Sequence, residues 1–588
     1  MSAIVQALDN YTPVQYGENG HVEYGWSNNI KEQILQFSFQ LTRTTNSVEL
    51  STLENKLVEL LTALKNKLTN SVLVEKEITL SYLNILYKLL GQTRDIIDGK
   101  GECTLSYMML YTWYNFFPEL AMFALKCFVN LGANIHPYGS WKDLKYFCKY
   151  CKEKGDGTTS QLIQYAIQLI NDQIREDYNL YTKSKIFKTE TLSSSLSSLS
   201  LVSKWVPREK SSFGWMYEEL SSNYFSNYLN TAITNEQKRK ALLKCKTEYR
   251  KILSMLNKYI DTLQIKQCDK RWSNIDFNKV TSVSISKQKK AFLNIKKNGE
   301  VRNPEDKDRI LCAEHFKNHI QKSIEEKKEV KGMRVSMSQF TLQALHAINP
   351  TEISLLNSQW RDNSTQTSNL SNMIAMVDVS GSMDGEPMYT AIALGIRIAE
   401  KSRLGKRVMT FSNSPKWVNL DPYPDFVSQV NVIKNADWGG NTNFYAALNM
   451  ILEAIIQNKM NPQDVEDMVL VILSDMQIDN GDKCDKKTLY DIIGKKYEEA
   501  GIRVCGTPYK PPHILFWNLR STSGFPTLSS QENTSMMSGF SPSLLNLFCD
   551  EGLSSLKDCN PFSNLLKMIS NERYQILEDE FNRQLNSV

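Results

Sequence analysis

The ten residues from Ile374 to Met383, IAMVDVSGSM, constrain this chain more than any other stretch. An apolar run rich in β-branched residues reads as a strand buried on both faces, and it ends on Asp378. Ser380 and Ser382 follow at alternating positions, before the helical pattern that begins at Pro387. A buried strand therefore delivers one carboxylate and two hydroxyls into the turn before a helix. Hard cations such as magnesium need several oxygens converging at about 2.0–2.1 Å, and these three supply part of that shell.

Two further groups stand where such a site needs them. Thr442 lies in WGGNTNF, after Gly439 and Gly440 and at the start of the helical pattern YAALNMILEAII. A hydroxyl there caps the helix or approaches a metal, and the glycines let the backbone come close. Asp475 ends the strand MVLVILSD and puts a second carboxylate at a strand's carboxyl edge, where ligands bind in open α/β sheets. Taken singly, these residues read as helix caps and ordinary strand ends. Taken together and in this order, Asp378, Ser380, Ser382, Thr442 and Asp475 read as a site for Mg2+ or another divalent cation.

A length of 588 residues exceeds one hydrophobic core and suits two to four domains. The composition, 41% hydrophobic and 23% charged, is that of a folded, soluble protein. No basic segment followed by a long apolar run opens the sequence, so no secretory signal is expected. The aromatic stretch Leu105 to Gly132 contains Asn115, Pro118, Glu119 and Lys126, each costly at membrane depth, and reads as a buried helical hairpin. Eleven loosely spaced cysteines suit a reducing, cytoplasmic setting better than a disulfide framework. In CAEHFKNH, one helix face would hold Cys312, His315 and His319, but no fourth zinc ligand is evident and packing is the expected role. The net charge of +5 hides an asymmetry: residues 370–588 hold 20 Lys and Arg against 26 Asp and Glu, and the remainder 49 against 38. A polyanion would therefore meet the N-terminal part, which carries +11.

From about Val48 to Leu345 the periodicity is helical. LENKLVELLTALKNKL, QLIQYAIQLINDQI and YRKILSMLNKYIDTL place apolar residues at helical spacing, so their stripes must bury against one another in a multi-helix domain or irregular solenoid. The serine-rich segment 189–205 reads as a surface excursion, and 348–372 as the linker or boundary between a helical domain, 1–347, and an α/β domain, 373–588. Beyond the boundary, strands Met373–Val379, Arg407–Phe411, Met468–Leu473 and His513–Trp517 alternate with helices Pro387–Lys401, Phe444–Gln457 and Lys487–Ala500. A closing helix around Ser543–Phe548 completes a mostly parallel sheet between helices. The loop DNGDKCDKK, read as exposed, lacks the oxygen spacing of a calcium loop.

The Asp-x-Ser-x-Ser motif of Asp378, Ser380 and Ser382 resembles the metal-ion-dependent adhesion site of von Willebrand A domains. More widely, RDIIDGKGE, YGSWKDL, KWVPREK, SDMQIDN, ILFWNLRSTSGFP and MMSGFSPSLLNLF resemble an uncharacterised family of eukaryotes and large DNA viruses. Its members join a helical region similar to the Ro autoantigen, or TROVE, module to a von Willebrand A domain. The resemblance implies an N-terminal all-α, HEAT-like or irregular helical solenoid followed by a C-terminal, Rossmann-like α/β A domain. It also implies a non-enzymatic scaffold that binds small structured or single-stranded RNA. Arg94, Lys100, Lys142 and Arg208, each near glycines or aromatics, are the expected RNA contacts. The metal would keep a coordination position for a partner protein's carboxylate. The alternative is a protein–protein assembly scaffold without specific RNA affinity, virion-associated if the chain is of viral origin. An enzyme is not expected: no nucleophile–base pair accompanies the oxygens, and GKGE at 99–102 lacks the ending of a phosphate-binding loop.

Overall fold

The computed structural model describes every residue except 1–3, 5–7, 9–10, 71, 133, 187–198, 327, 436–437, 439, 441, 480–486, 550–558 and 586–588. Most of the serine-rich excursion and of the DNGDKCDKK loop thus lies outside the described residues. A helical N-terminal region precedes a mixed α/β region built on a six-stranded sheet. The leucine stripe behaves as its spacing predicts: in the Ser47–Asn70 helix, Leu53, Leu57, Leu60, Leu61 and Leu64 are buried. Leu105–Gly132 contributes helices Cys103–Phe116 and Pro118–Cys127, with Trp113 fully buried against Tyr87, ring centroids 5.2 Å apart. No helix among the described residues is long and apolar enough to cross a membrane. No disulfide joins any of the described cysteines. Cys312 packs with Phe277, Phe292 and Phe316, and His319 lies against Phe277, whereas His315 is exposed, its Nδ1 3.1 Å from Ser273 O.

The larger sheet joins β3 (Met373–Asp378), β4 (Arg407–Phe411), β5 (Lys416–Asn419), β6 (Val469–Ser474), β7 (His513–Asn518) and β8 (Thr534–Ser538). Their order is β5-β4-β3-β6-β7-β8, with only β4–β5 antiparallel. Residues alternate between two buried faces. Met376, Met409, Ile472 and Phe516 pack under helices Phe444–Gln457 and Leu489–Cys505, whereas Val377, Val408, Leu473 and Trp517 pack under helix Glu386–Lys401. Helices on both faces explain why these strands are continuous apolar runs. Edge strand β5, with Trp417 exposed, and the polar β8 carry weaker sequence signals, and neither is among the expected strands.

The segment 348–372, expected as a linker or boundary, holds the helix Pro350–Ser364, docked on the α/β core. Trp360 stacks on Phe426 at 3.9 Å, Arg397 lies 4.2 Å from its ring, and its indole N–H donates to Glu400. Its apolar residues, Ile353, Leu355, Leu356 and Trp360, stand among polar neighbours, which is why the segment reads as a break. The two halves also interlock at the chain ends. A small hairpin, β1 (Val14–Tyr16) with β2 (Val22–Tyr24), precedes the helices, and Tyr24 exchanges two backbone hydrogen bonds with Phe525. The C-terminal helix Gln575–Leu585 buries Leu577 and Phe581 against the Leu73–Arg94 helix, where the Arg573 guanidinium donates two 2.7 Å hydrogen bonds to Asp95.

Candidate metal centre

Parallel pairing brings the carboxyl ends of β3 and β6 side by side, with Val377 opposite Leu473. Asp378 and Ser474 follow in register, and the Ser474 hydroxyl donates to Asp378 Oδ2 at 2.5 Å. Asp378 Oδ1 accepts the Ser380 backbone N–H at 2.9 Å, which folds the Asp-x-Ser turn back on the carboxylate. The Ser380 and Ser382 hydroxyls lie 3.2 Å apart, and the Ser382 hydroxyl also hydrogen-bonds Asp475. Asp475 Oδ1 accepts the Gln477 N–H at 3.0 Å, and Oδ2 accepts Arg520 Nε at 3.0 Å. Between them Met476 holds φ at +63°, a conformation costing a bulky side chain on the order of 1–3 kcal/mol. This turn fixes where Asp475 points.

Asp378, Ser380, Asp475 and Thr442 are buried, and Ser382 is half-buried. Burial, reinforced by the neighbouring Asp475 charge, pushes the Asp378 carboxyl up to about 7 against the hydrogen bonds from Ser380 and Ser474. Asp475 is likewise raised by burial, although Arg520, the Gln477 N–H and the Ser382 hydroxyl oppose the shift. Two buried like charges are the arrangement that a dication relieves. Among the described residues no three His, Cys, Asp or Glu side chains form a metal-binding group, so a cation held here relies on two carboxylates and hydroxyls.

Thr442 reaches the same edge by its backbone. Gly381 N–H donates to Gly440 O at 3.3 Å, and Asp479 N–H donates to Thr442 O at 3.1 Å. Gly440 has φ +73°, and a Cβ there would meet the Asn413 side chain at 2.5 Å, so glycine is required for the close approach. The helix cap is Asn443, whose side chain accepts the Ala446 N–H; Thr442 stands one residue before it. Sequence reasoning missed Ser474 and Arg520. Ser474 was legible as the residue before Asp475, but Arg520, 45 residues further on, has no spacing signal.

The expected RNA contacts divide. Arg94 is buried and forms two 2.8 Å hydrogen bonds with Asp143, which also accepts from Tyr107 OH. Lys100 is buried too, and its ammonium donates to Ser38 O, Leu41 O and Ser538 Oγ, tying the helical half to β8. Neither is presented to a phosphate, because each satisfies buried acceptors inside the protein. Lys142 and Arg208 are exposed, as the RNA reading requires.

A family model described as a domain of unknown function, DUF7788, matches residues 372–580, which contain the whole six-stranded sheet. A second domain of unknown function, DUF2828, matches 154–301 in the helical region. The chain is also 27% identical over 498 residues to the uncharacterized protein L728 of Acanthamoeba polyphaga mimivirus, covering 83% of this chain and 79% of that protein.

Proposed function

We propose that the α/β region is a von Willebrand A-type domain that binds magnesium and through it a carboxylate of a partner protein, while the Ro-like helical region binds RNA. The observation that carries this reading is the meeting of Asp378, Asp475, Ser380 and Ser382 at the carboxyl edge of adjacent parallel strands. Asp378 and Asp475 would supply negative charge, and Ser380, Ser382 and Thr442 neutral oxygens. Bound magnesium would supply a Lewis-acidic position for an incoming carboxylate oxygen. The chain's own groups orient this shell: Ser474 aims Asp378, and Arg520 donates to Asp475 and opposes the rise that burial imposes on its carboxyl. The role is binding, for which no general base is required. The N-terminal charge excess and the exposed Lys142 and Arg208 support a polyanion on the helical side.

The test is to immobilise the full chain and expose it to a lysate of cells that express it, with magnesium or with chelator. RNA surviving a high-salt wash, together with a protein partner released by chelator, supports the reading. Protein partners without RNA would leave a protein assembly scaffold. Retention of neither ligand in magnesium would overturn it.

A further inference from the structure

The helical half contains an open cleft of about 750 Å³ between the segment Ser203–Lys210 and the end of the Asn235–Ile260 helix. Trp205, Val206, Pro207, Tyr217 and Leu253 give it an apolar wall, and Lys204, Arg208, Lys210, Arg250 and Lys258 surround that wall with cations. Glu209 is the carboxylate lining it and is already paired with Arg250 at 2.9 Å. Gln264 also lines the cleft, and its buried Oε1 lacks a hydrogen-bond partner among the described residues.

Trp205 links this cleft to a second group of rings and cations. Lys145 Nζ lies 5.7 Å from the Trp205 ring, 5.0 Å from Phe213 and 4.9 Å from Tyr146. Tyr146 meets Phe213 edge-on at 5.6 Å and carries Lys142 at 5.1 Å. Tyr146 and Lys142 are exposed, and Trp205 and Phe213 are half-buried. Burial, with the Lys142 charge beside it, holds the Lys145 ammonium below its ordinary value, and burial does the same to Lys204. Aromatic faces alternating with cations over a continuous path match a flexible polyanion with flat rings, because bases stack while phosphates find the ammonium and guanidinium groups. An acidic peptide would use the cations but leave the rings without a counterpart.

We infer that the cleft and the adjoining Tyr146–Phe213 surface form a binding track for single-stranded RNA, with phosphates at Arg208, Lys210 and Lys142 and bases against Trp205 and Tyr146. This assignment rests on the RNA reading above and places it on residues 142–265. Lys142 and Arg208, the two expected RNA contacts that the fold leaves exposed, both fall on this one track.

The test uses the full chain and a fluorescein-labelled twelve-nucleotide oligouridylate, followed by anisotropy across a sodium chloride series. Reversing charge in Arg208→Glu/Lys210→Glu should weaken binding at least tenfold and flatten the log–log salt slope by about 1.4, since each single-strand phosphate contact contributes about 0.7. Tyr146→Ala should weaken binding at least about fivefold and leave the salt slope unchanged, as loss of one stacked base requires. The charge-matched control Lys297→Glu/Lys307→Glu, on exposed residues that do not line the cleft, should stay within twofold of the parent chain. Equal losses in the control and the cleft variant would overturn the track while leaving RNA binding intact. No binding by the parent chain at low salt would overturn the track and the RNA reading together. Displacement of the oligonucleotide by polyglutamate at lower concentration than by unlabelled oligouridylate would assign the cleft to acidic peptides and overturn the proposal.

Discussion

Replacing Arg94 by Met separates two roles that the sequence left open for this residue. In the folded chain its guanidinium makes a two-pronged pair with Asp143, and both side chains are buried, at 5% and 2% exposure. Removing one partner of a buried pair leaves the other charge uncompensated, at a cost of about 3–5 kcal/mol. Asp143 would keep the Ser140 N–H and Tyr107 OH, each at 2.7 Å, so the lower end, about 3 kcal/mol, is expected. The pH dependence has a definite sign. Burial pushes Asp143 up, but Arg94 and the hydrogen bonds outweigh it and hold the carboxyl below its ordinary value. Its stabilising contribution is therefore present above the unfolded carboxyl's range and lost as pH falls through the lower folded value. Without Arg94 burial dominates, the folded carboxyl is raised, and the variant's deficit shrinks as pH falls from 7 towards 4. Urea unfolding, followed by tryptophan fluorescence and far-ultraviolet circular dichroism at both pH values, measures this directly. An unchanged urea midpoint at pH 7, accompanied by weaker RNA binding, would refute the buried-pair account and restore Arg94 as an RNA contact.

Magnesium affinity should fall as pH is lowered through about 7, because the raised Asp378 carboxyl then takes a proton that the cation must displace; calorimetric titrations at pH 8 and 6 should differ at least tenfold, and equal affinities would argue against Asp378 as a ligand. Ser474→Ala removes the 2.5 Å hydrogen bond to a buried carboxylate and should cost roughly 1–3 kcal/mol in urea unfolding of the metal-free chain, with weaker magnesium binding. Arg520→Met removes a cation 3.0 Å from Asp475 and should raise magnesium affinity several-fold at pH 8; a loss of affinity would show that Arg520 positions Asp475 more than it competes with the ion.

The sequence made the sheet's interior legible because its strands are buried on both faces and therefore apolar at every position, as in IAMV and VLVIL. Asp378 and Asp475 stood out as the first carboxylates after such runs. What stayed hidden depends on contacts between distant segments. Nothing local marks Arg520 as the neighbour of Asp475, or Ser538 and Leu41 as partners of Lys100. Arg94 and Lys100 illustrate the same limit: a basic residue beside glycines looks identical whether its charge meets a phosphate or a buried acceptor. The Pro350–Ser364 helix was masked for a different reason, since its core contribution is concentrated in few large side chains among polar ones.

Isothermal titration of magnesium into the full chain and into Asp378→Asn, at pH 8 and low salt, bears most directly on the proposed metal centre. The substitution keeps the side chain's shape and one acceptor oxygen for the Ser380 N–H, sets an amide NH2 against the Ser474 hydroxyl, which can turn to accept from it, and removes the negative charge. The account predicts one specific magnesium ion per parent chain and no specific binding to the variant, with matching circular dichroism spectra. Equal magnesium affinity in the two proteins, or no specific binding to the parent chain, would contradict it.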